Sequence, residues 1–175
     1  MSDAPVQNST AEPIVKSSQS DRRRRIQFIP RVGNADLNPA SLAVIEASGK
    51  PLTYSFTHDG FAPTGTQAKV EDKRYSLPDD LGRPGRITDE LRVKYVASSD
   101  PKSADQILKP DTEGWFVERK GKSRDEPWAE DDIVNIWEVI CGIQLDDAPT
   151  ENGVDTVSQG MFLTAPVQRR VALTA

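Results

Sequence analysis

Cysteine and histidine are nearly missing from this 175-residue chain: each occurs once, as Cys141 and His58. A lone cysteine excludes an internal disulfide framework and a multi-cysteine zinc site. A lone histidine excludes a paired-histidine metal motif. No apolar run approaches the about 18 residues that a membrane-spanning helix requires. Met1 to Ser20 has no apolar segment of the kind that marks a secretory signal, so none is expected. Large apolar residues are scarce too. Leu, Ile, Val and Phe make up 39 of the 175, just above the roughly one fifth below which a chain rarely builds a core. Thirteen prolines are spread along the chain, which leaves little room for long helices.

Charge divides the chain unevenly. Residues 1–25 hold five basic and three acidic side chains, whereas residues 26–175 hold 17 and 24, so the body carries −7. Residues 1–24 read as an unfolded arm, rich in Ser, Asn, Gln and Pro, with only Val6, Ile14 and Val15 as branched apolar residues. Arg22, Arg23, Arg24 and Arg25 form a basic run at its end. Residues 25–175 read as one domain.

In that domain, Ile26, Phe28 and Pro30 share a face if the segment is a strand, and Pro30 suits a strand end. Asn38 as N-cap, Pro39 at the first helical position and Gly49 as a left-handed stop predict one helix. Leu52, Tyr54 and Phe56 alternate as in a strand. Residues 57–85, with several glycines, prolines and charges, predict a long loop, with room for a short strand near Gln67 to Val70. Arg86 to Val96 predicts an amphipathic strand that points Ile87, Leu91, Val93 and Tyr95 one way and Thr88, Glu90, Arg92 and Lys94 the other. A turn or short helix runs from Asp100 to Leu108, and a strand from Trp115 to Arg119. The β-branched run from Asp132 to Gln144 predicts a strand buried on both sides. Two strands follow, near Thr156–Thr164 and Val167–Leu173. Six or seven strands and one helix predict a mainly β fold, a β-sandwich or partly closed barrel with one flanking α-helix and long loops.

Chemistry finds little to work with. His58 in Thr57-His58-Asp59-Gly60 reads as a turn residue, since no Ser or Cys motif would use it as a base. Cys141 lies in an apolar strand and reads as a buried thiol. Asp79-Asp80 and Glu130-Asp131-Asp132 lack the alternating oxygen ligands of a calcium loop and read as solvated charge. Gly82-Arg83-Pro84-Gly85-Arg86 has no P-loop Lys-Ser/Thr pair. Trp115, Trp128 and Trp137 fit a core or interface better than a base-stacking surface. The arginine run could contact phosphates, but beside an acidic body it does not make a basic face with interleaved aromatics. No catalytic, cofactor-binding or metal-ligating residue is assigned, and no enzyme is expected. An arm, a long loop and open strand edges instead suit a subunit that gains order by docking on its copies.

Residues 25–175 also resemble the major tail tube proteins of long-tailed (siphovirus-type) bacteriophages, especially those of actinobacteria. The matching stretches keep the family's order. They are Arg25-Ile26-Gln27-Phe28-Ile29-Pro30, the Asn38-Pro39 to Gly49 segment, Asp59-Gly60-Phe61-Ala62-Pro63-Thr64 and Pro84-Gly85-Arg86-Ile87-Thr88. Leu91-Arg92-Val93-Lys94-Tyr95, Gly114-Trp115-Phe116-Val117-Glu118-Arg119 and Phe162-Leu163-Thr164-Ala165-Pro166-Val167-Gln168 follow, with Val171-Ala172. The residues through Arg24 and the loop from Lys120 to Arg124 have no counterpart. The resemblance implies homohexameric rings stacked into a hollow tube that passes genome DNA. It also implies tail terminator, distal tail and tape-measure proteins as partners, no membrane insertion, and a place in the virion tail after assembly in the host cytoplasm. Arg22, Arg23, Arg24, Arg25, Phe61, Arg83 and Arg86 are candidate inter-subunit contacts. Glu90, Arg92 and Lys94 are a candidate lumen or ring-interface face. The alternatives are a ring-forming tail terminator or head–tail connector, and a nucleic-acid-binding module that uses the arginine run.

Overall fold

The β-branched run beginning at Ile133 is the spine of the fold. A computed structural model describes residues 22–33, 36–76, 78–79 and 81–175, so residues 1–21 of the expected arm (residues 1–24) lie outside them. Among the described residues the elements are β1 (Arg24–Pro30), α1 (Leu42–Ser48), β2 (Lys50–Pro51), β3 (Phe56–Asp72) and β4 (Leu81–Val96). Then come α2 (Ala104–Ile107), β5 (Glu113–Lys120), β6 (Ile133–Asp146), β7 (Thr156–Leu163) and β8 (Gln168–Ala172). The strands form one antiparallel sheet in the order β2-β1-β5-β6-β7-β4-β3. One edge of β6 pairs with β5, while its other edge pairs first with β8 and then with β7.

The sheet curls into a half-barrel, and the side chains show why. Trp137, Val139 and Cys141 of β6 join Phe28, Phe61, Phe116, Tyr95 and Met161 in one cluster drawn from six strands. Phe61 of β3 stands 5.6 Å from Phe116 of β5 and 5.3 Å from Trp137, edge to face. β3 and β5 lie far apart in the sheet order, so only a curled sheet brings their rings together. The opposite face of β1, β5 and β6 holds Ile29, Trp115, Val117, Val134 and Ile136, covered by Ile45 of α1, Trp128 and Leu173. β6 is thus buried on both faces over its first half, as its β-branched composition predicts. Of the two β architectures open to the sequence, the partly closed barrel is the one formed.

Several local expectations are corrected. The helix starts at Leu42, not after Asn38. Asn38 instead makes a turn, its Oδ1 accepting from the Ala40 N–H at 3.1 Å. The Leu42 N–H donates to the Thr174 carbonyl at 2.8 Å, so the chain's own last residues satisfy a helix donor that a side-chain cap would otherwise take. Gly49 is extended (φ −68°) and not left-handed. Glycine is needed there for close approach, because a Cβ would stand 2.3 Å from the Ile45 carbonyl oxygen. Leu52 to Ser55 is a turn, closed by the Ser55 N–H on the Leu52 carbonyl, and only Phe56 of the expected strand is in one, as the start of β3. Leu52 is buried and Tyr54 exposed.

The largest correction concerns residues 57–85. They are not a loop but most of a β-hairpin, with β3 and β4 paired from Phe61↔Val93 out to Asp72↔Leu81. The Thr57–Gly60 segment is an irregularity in this ladder and not a tight turn. Five steps along β3, from Phe56 to Phe61, match two along β4, from Tyr95 to Val93. Ile87, expected to face the core, is exposed, because β4 has left the body of the sheet by that point.

Candidate functional site

Three surfaces collect the candidate residues, and the hairpin builds the first. β4 pairs with β7 only from Leu91 to Val96, so Leu81 to Glu90 have β3 as their sole strand neighbour. Almost every residue of this outer part is exposed on both faces. Pro63 and Pro84 sit in it without harm, because each strand has an open edge where a missing N–H breaks no ladder bond. Val70, Leu81 and Ile87 are exposed along it, and Tyr75 at its tip is fully exposed at 101%. A two-stranded ribbon with neither face covered is marginally stable by itself in water. Near the tip Lys73 pairs with Glu71 at 3.0 Å and Arg74 with Asp72 at 3.1 Å, while Arg83 stands 3.8 Å from Asp72. Arg86 is exposed on the same arm.

The second surface lies at the arm's root. Here the loop after β5 is wound round Arg119, a fully buried guanidinium. Its Nη1 donates to Asp132 Oδ2 (2.8 Å) and the Pro127 carbonyl (2.7 Å), and its Nη2 to the carbonyls of Ser123 (2.9 Å) and Glu126 (2.7 Å). Asp132 also accepts from the Ala129 N–H at 3.0 Å and pairs with Lys122. Burial alone would raise its pKa, but the hydrogen bonds from Lys122, Arg119 and Ala129 outweigh it and hold the carboxyl below its ordinary range. The solvated reading of Asp132 is therefore corrected.

The arginine run meets this loop. Arg25 donates to the Glu126 carbonyl (2.7 Å) and lies over Trp128, and burial followed by the charge of Arg119 lowers its pKa. Arg23 donates to the Gly121 carbonyl at 3.2 Å. Arg24 is exposed, 3.6 Å from Glu118, a fully buried carboxylate with no hydrogen bond whose other neighbour is Lys120 at 3.3 Å. Arg22, Arg24, Arg124, His58, Phe56 and Phe61 line a recess of about 370 Å³. Phe61, expected at a contact, is a core residue at 6% exposure.

The third surface is the side of β4 away from the core. Glu90, Arg92 and Lys94 share it, as the alternation predicts, beside Gly160 and Ser158 of β7. Lys94 pairs with Asp147 at 3.2 Å. Hydroxyls of Ser158 and Thr156 donate to the same carboxylate and, with Lys94, lower its pKa. Phe162, 67% exposed, and Leu145 border the same recess, which measures about 700 Å³.

Among the described residues no group of three or more His, Cys, Asp or Glu is placed to hold a metal ion. Cys141 is buried, and desolvation pushes its thiol up to about 12. The sequence reading missed Arg119, Asp132 and Glu118, since a buried charge and a solvated one are written alike. The one available signal was their position, inside or beside apolar strands.

Comparison with known proteins agrees with this picture. The profile of a family described as phage tail tube protein matches residues 12–175. A chain in the cryo-EM structure of the anti-feeding prophage baseplate has a similar fold, with a TM-score of 0.56 at 10% identity. The match covers 88% of this chain and 96% of that one. No curated protein matches the sequence.

Proposed function

Because the chain belongs to the phage tail tube protein family, a family of structural and not enzymatic proteins, we propose that its copies close into hexameric rings and that the rings stack into a tube carrying genome DNA out of the virion. That it is a structural subunit of a phage tail follows from the family. The finer reading rests on one observation above all, the bare two-stranded arm. Such a ribbon gains its missing partners by lying on another copy. The unpaired outer edge of β3 offers a further ladder to a neighbour. Head-to-tail contacts of this kind extend into filaments where their rotation does not close on itself.

Electrostatics favours a conduit for DNA. A wall that bound phosphates would hold the duplex through many contacts. The −7 charge of residues 26–175 instead favours repulsion of the backbone. On this reading the tail terminator, distal tail and tape-measure proteins meet the tube at its ends and along its lumen, and assembly takes place in the host cytoplasm. Glu90, Arg92 and Lys94 lie at the lumen or between neighbours in a ring.

Electron microscopy of concentrated purified protein tests the proposal. Tubes of indefinite length are the expected result. Single closed rings would point to a terminator or connector, and a monomer at all concentrations would end the proposal. A chain with Glu71–Gly82 replaced by a short turn is expected to fold with unchanged melting and to form no tubes. Normal tubes from that chain would remove the arm from the mechanism.

A further inference from the structure

The two ends of β6 lie in surroundings of opposite charge. Its start is beside the arginine run, since Arg24 is in register with Lys120, and Arg119 with Val134. Its far end, Asp146, opens the connection to β7. About 40 Å of strand separates the two at the usual rise, so one copy cannot bring them together. The connection, residues 146–155, holds Asp146, Asp147, Glu151 and Asp155 and no basic residue. Asp147 is taken by Lys94. Asp146, Glu151 and Asp155 are exposed, with no ion pair among the described residues. Residues 94–113 meet this loop where the Ala97 N–H donates to the Asp155 carbonyl at 2.9 Å. They add four acidic and three basic side chains, so this end stays acidic. At the other end, residues 22–25 and 118–132 hold eight basic side chains against six acidic. Arg22, Arg24 and Arg124 converge there on the recess at the arm's root. Among the described residues the carboxylates within ion-pair distance of these three are Glu118 and Asp125, and Lys120 shares Glu118. Arg124 Nε is buried with no hydrogen-bond acceptor, Asp125 being 3.9 Å away.

We infer that the β6–β7 loop of one copy docks on the arginine recess of the next, its exposed carboxylates over Arg22, Arg23 and Arg124. The inference rests on the tube reading and names the contact by which one ring receives another. Charge selects this loop. Residues 69–83, at the arm's tip, hold four basic and four acidic side chains and offer no net charge. The loop after β5 is itself part of the basic end. No other connection between the described elements combines four carboxylates with no cation. Because loop and recess stand at opposite ends of one sheet, each added copy presents a fresh loop and a fresh recess, and all copies point the same way. Opposite charge steers the encounter and fixes that orientation.

The test uses the full chain and charge reversal at exposed positions. Glu151→Lys with Asp155→Lys on the loop, and Arg22→Glu with Arg23→Glu at the basic end, are each expected to raise the critical concentration for polymerisation about tenfold or more, with unchanged melting of the subunit. All four changes in one chain restore opposite charge at every junction and are expected to restore growth. Loop variants that polymerise like wild type, or a combined chain no better than either pair, would overturn the inference, while wild-type tubes leave the tube reading standing. Growth lost on reversing the arginines but kept on reversing the loop would give the basic end to another occupant, the chain's own residues 1–21 or duplex DNA, and also overturn it. A wild-type chain that never polymerises would sink both readings.

Discussion

Replacing Asp132 with Asn removes one charge from the buried pair at the arm's root while keeping its shape. Arg119 would then hold its positive charge in a fully buried site on the carbonyls of Ser123, Glu126 and Pro127 alone. Lys122 would lose its partner as well. Removing one member of a buried pair costs about 3–5 kcal/mol, because the other charge stays behind unpaired. For a domain of this size that corresponds to a fall in melting temperature of roughly 6–20 °C. The measurement is thermal or urea unfolding of dilute subunits, below the concentration at which they associate. The sign with pH also follows. Asp132 titrates below its ordinary 3.8 in the folded chain, so its contribution is fully present above that value and is lost as pH falls through the folded pKa. The gap between wild type and Asp132→Asn should therefore close in acid below about pH 4. A second variant separates charge from packing. Arg119→Met with Asp132→Leu removes both charges, so it is expected to recover the part of the loss due to the stranded charge but not the part due to the carbonyls of Ser123, Glu126 and Pro127 left without a donor. A fall under about 1 kcal/mol for Asp132→Asn at neutral pH would place the pair among surface bridges and refute the reasoning.

Two further outcomes follow from the core. Gly114→Ala would put a Cβ 2.4 Å from the Ile29 carbonyl oxygen and 2.6 Å from the Phe28 ring; the backbone cannot yield, so a loss of about 1–3 kcal/mol is expected in urea unfolding. Cys141, held protonated by burial with its pKa up to about 12, should resist thiol reagents in the native chain at pH 8 and react at once in denaturant. Stability from this thiol is complete below its unfolded pKa, near 8.5, and declines as pH rises towards the folded value.

What the sequence makes legible is set by burial. The spine of the sheet is readable because Val134, Ile136, Trp137, Val139 and Cys141 are chosen by two packed faces, and the Trp115–Arg119 strand for the same reason. The inward half of β4 shows its alternation from Leu91 to Tyr95, where β7 and the core meet it. Beyond Leu91 that pressure ends. No face of the arm is buried, so Gly65, Gly82 and Gly85 with Pro63 and Pro84 look like loop punctuation although the ladder runs past them with one slip of register, between Gln67 and Lys69. The helix start was misplaced because its donor is met by Thr174, more than a hundred residues away, which no local pattern announces. Of the candidate contacts, the β4 face was found as a unit, since alternation is local. The recess was not, since it joins the arginine run to Phe56, His58 and Arg124 through the fold alone.

β3 and β4 pass from the packed body to the tip with no break in either chain. A pull on the tip therefore loads the body in shear along its hydrogen-bonded rows, because there is no swivel to absorb it. Phe61, Leu91 and Val93 anchor the same two strands in the aromatic cluster, so the girder's footing is the hydrophobic centre itself. A cylinder tied together by such struts would resist stretching and bend where the rows already slip register, between Phe56 and Phe61 and between Gln67 and Lys69.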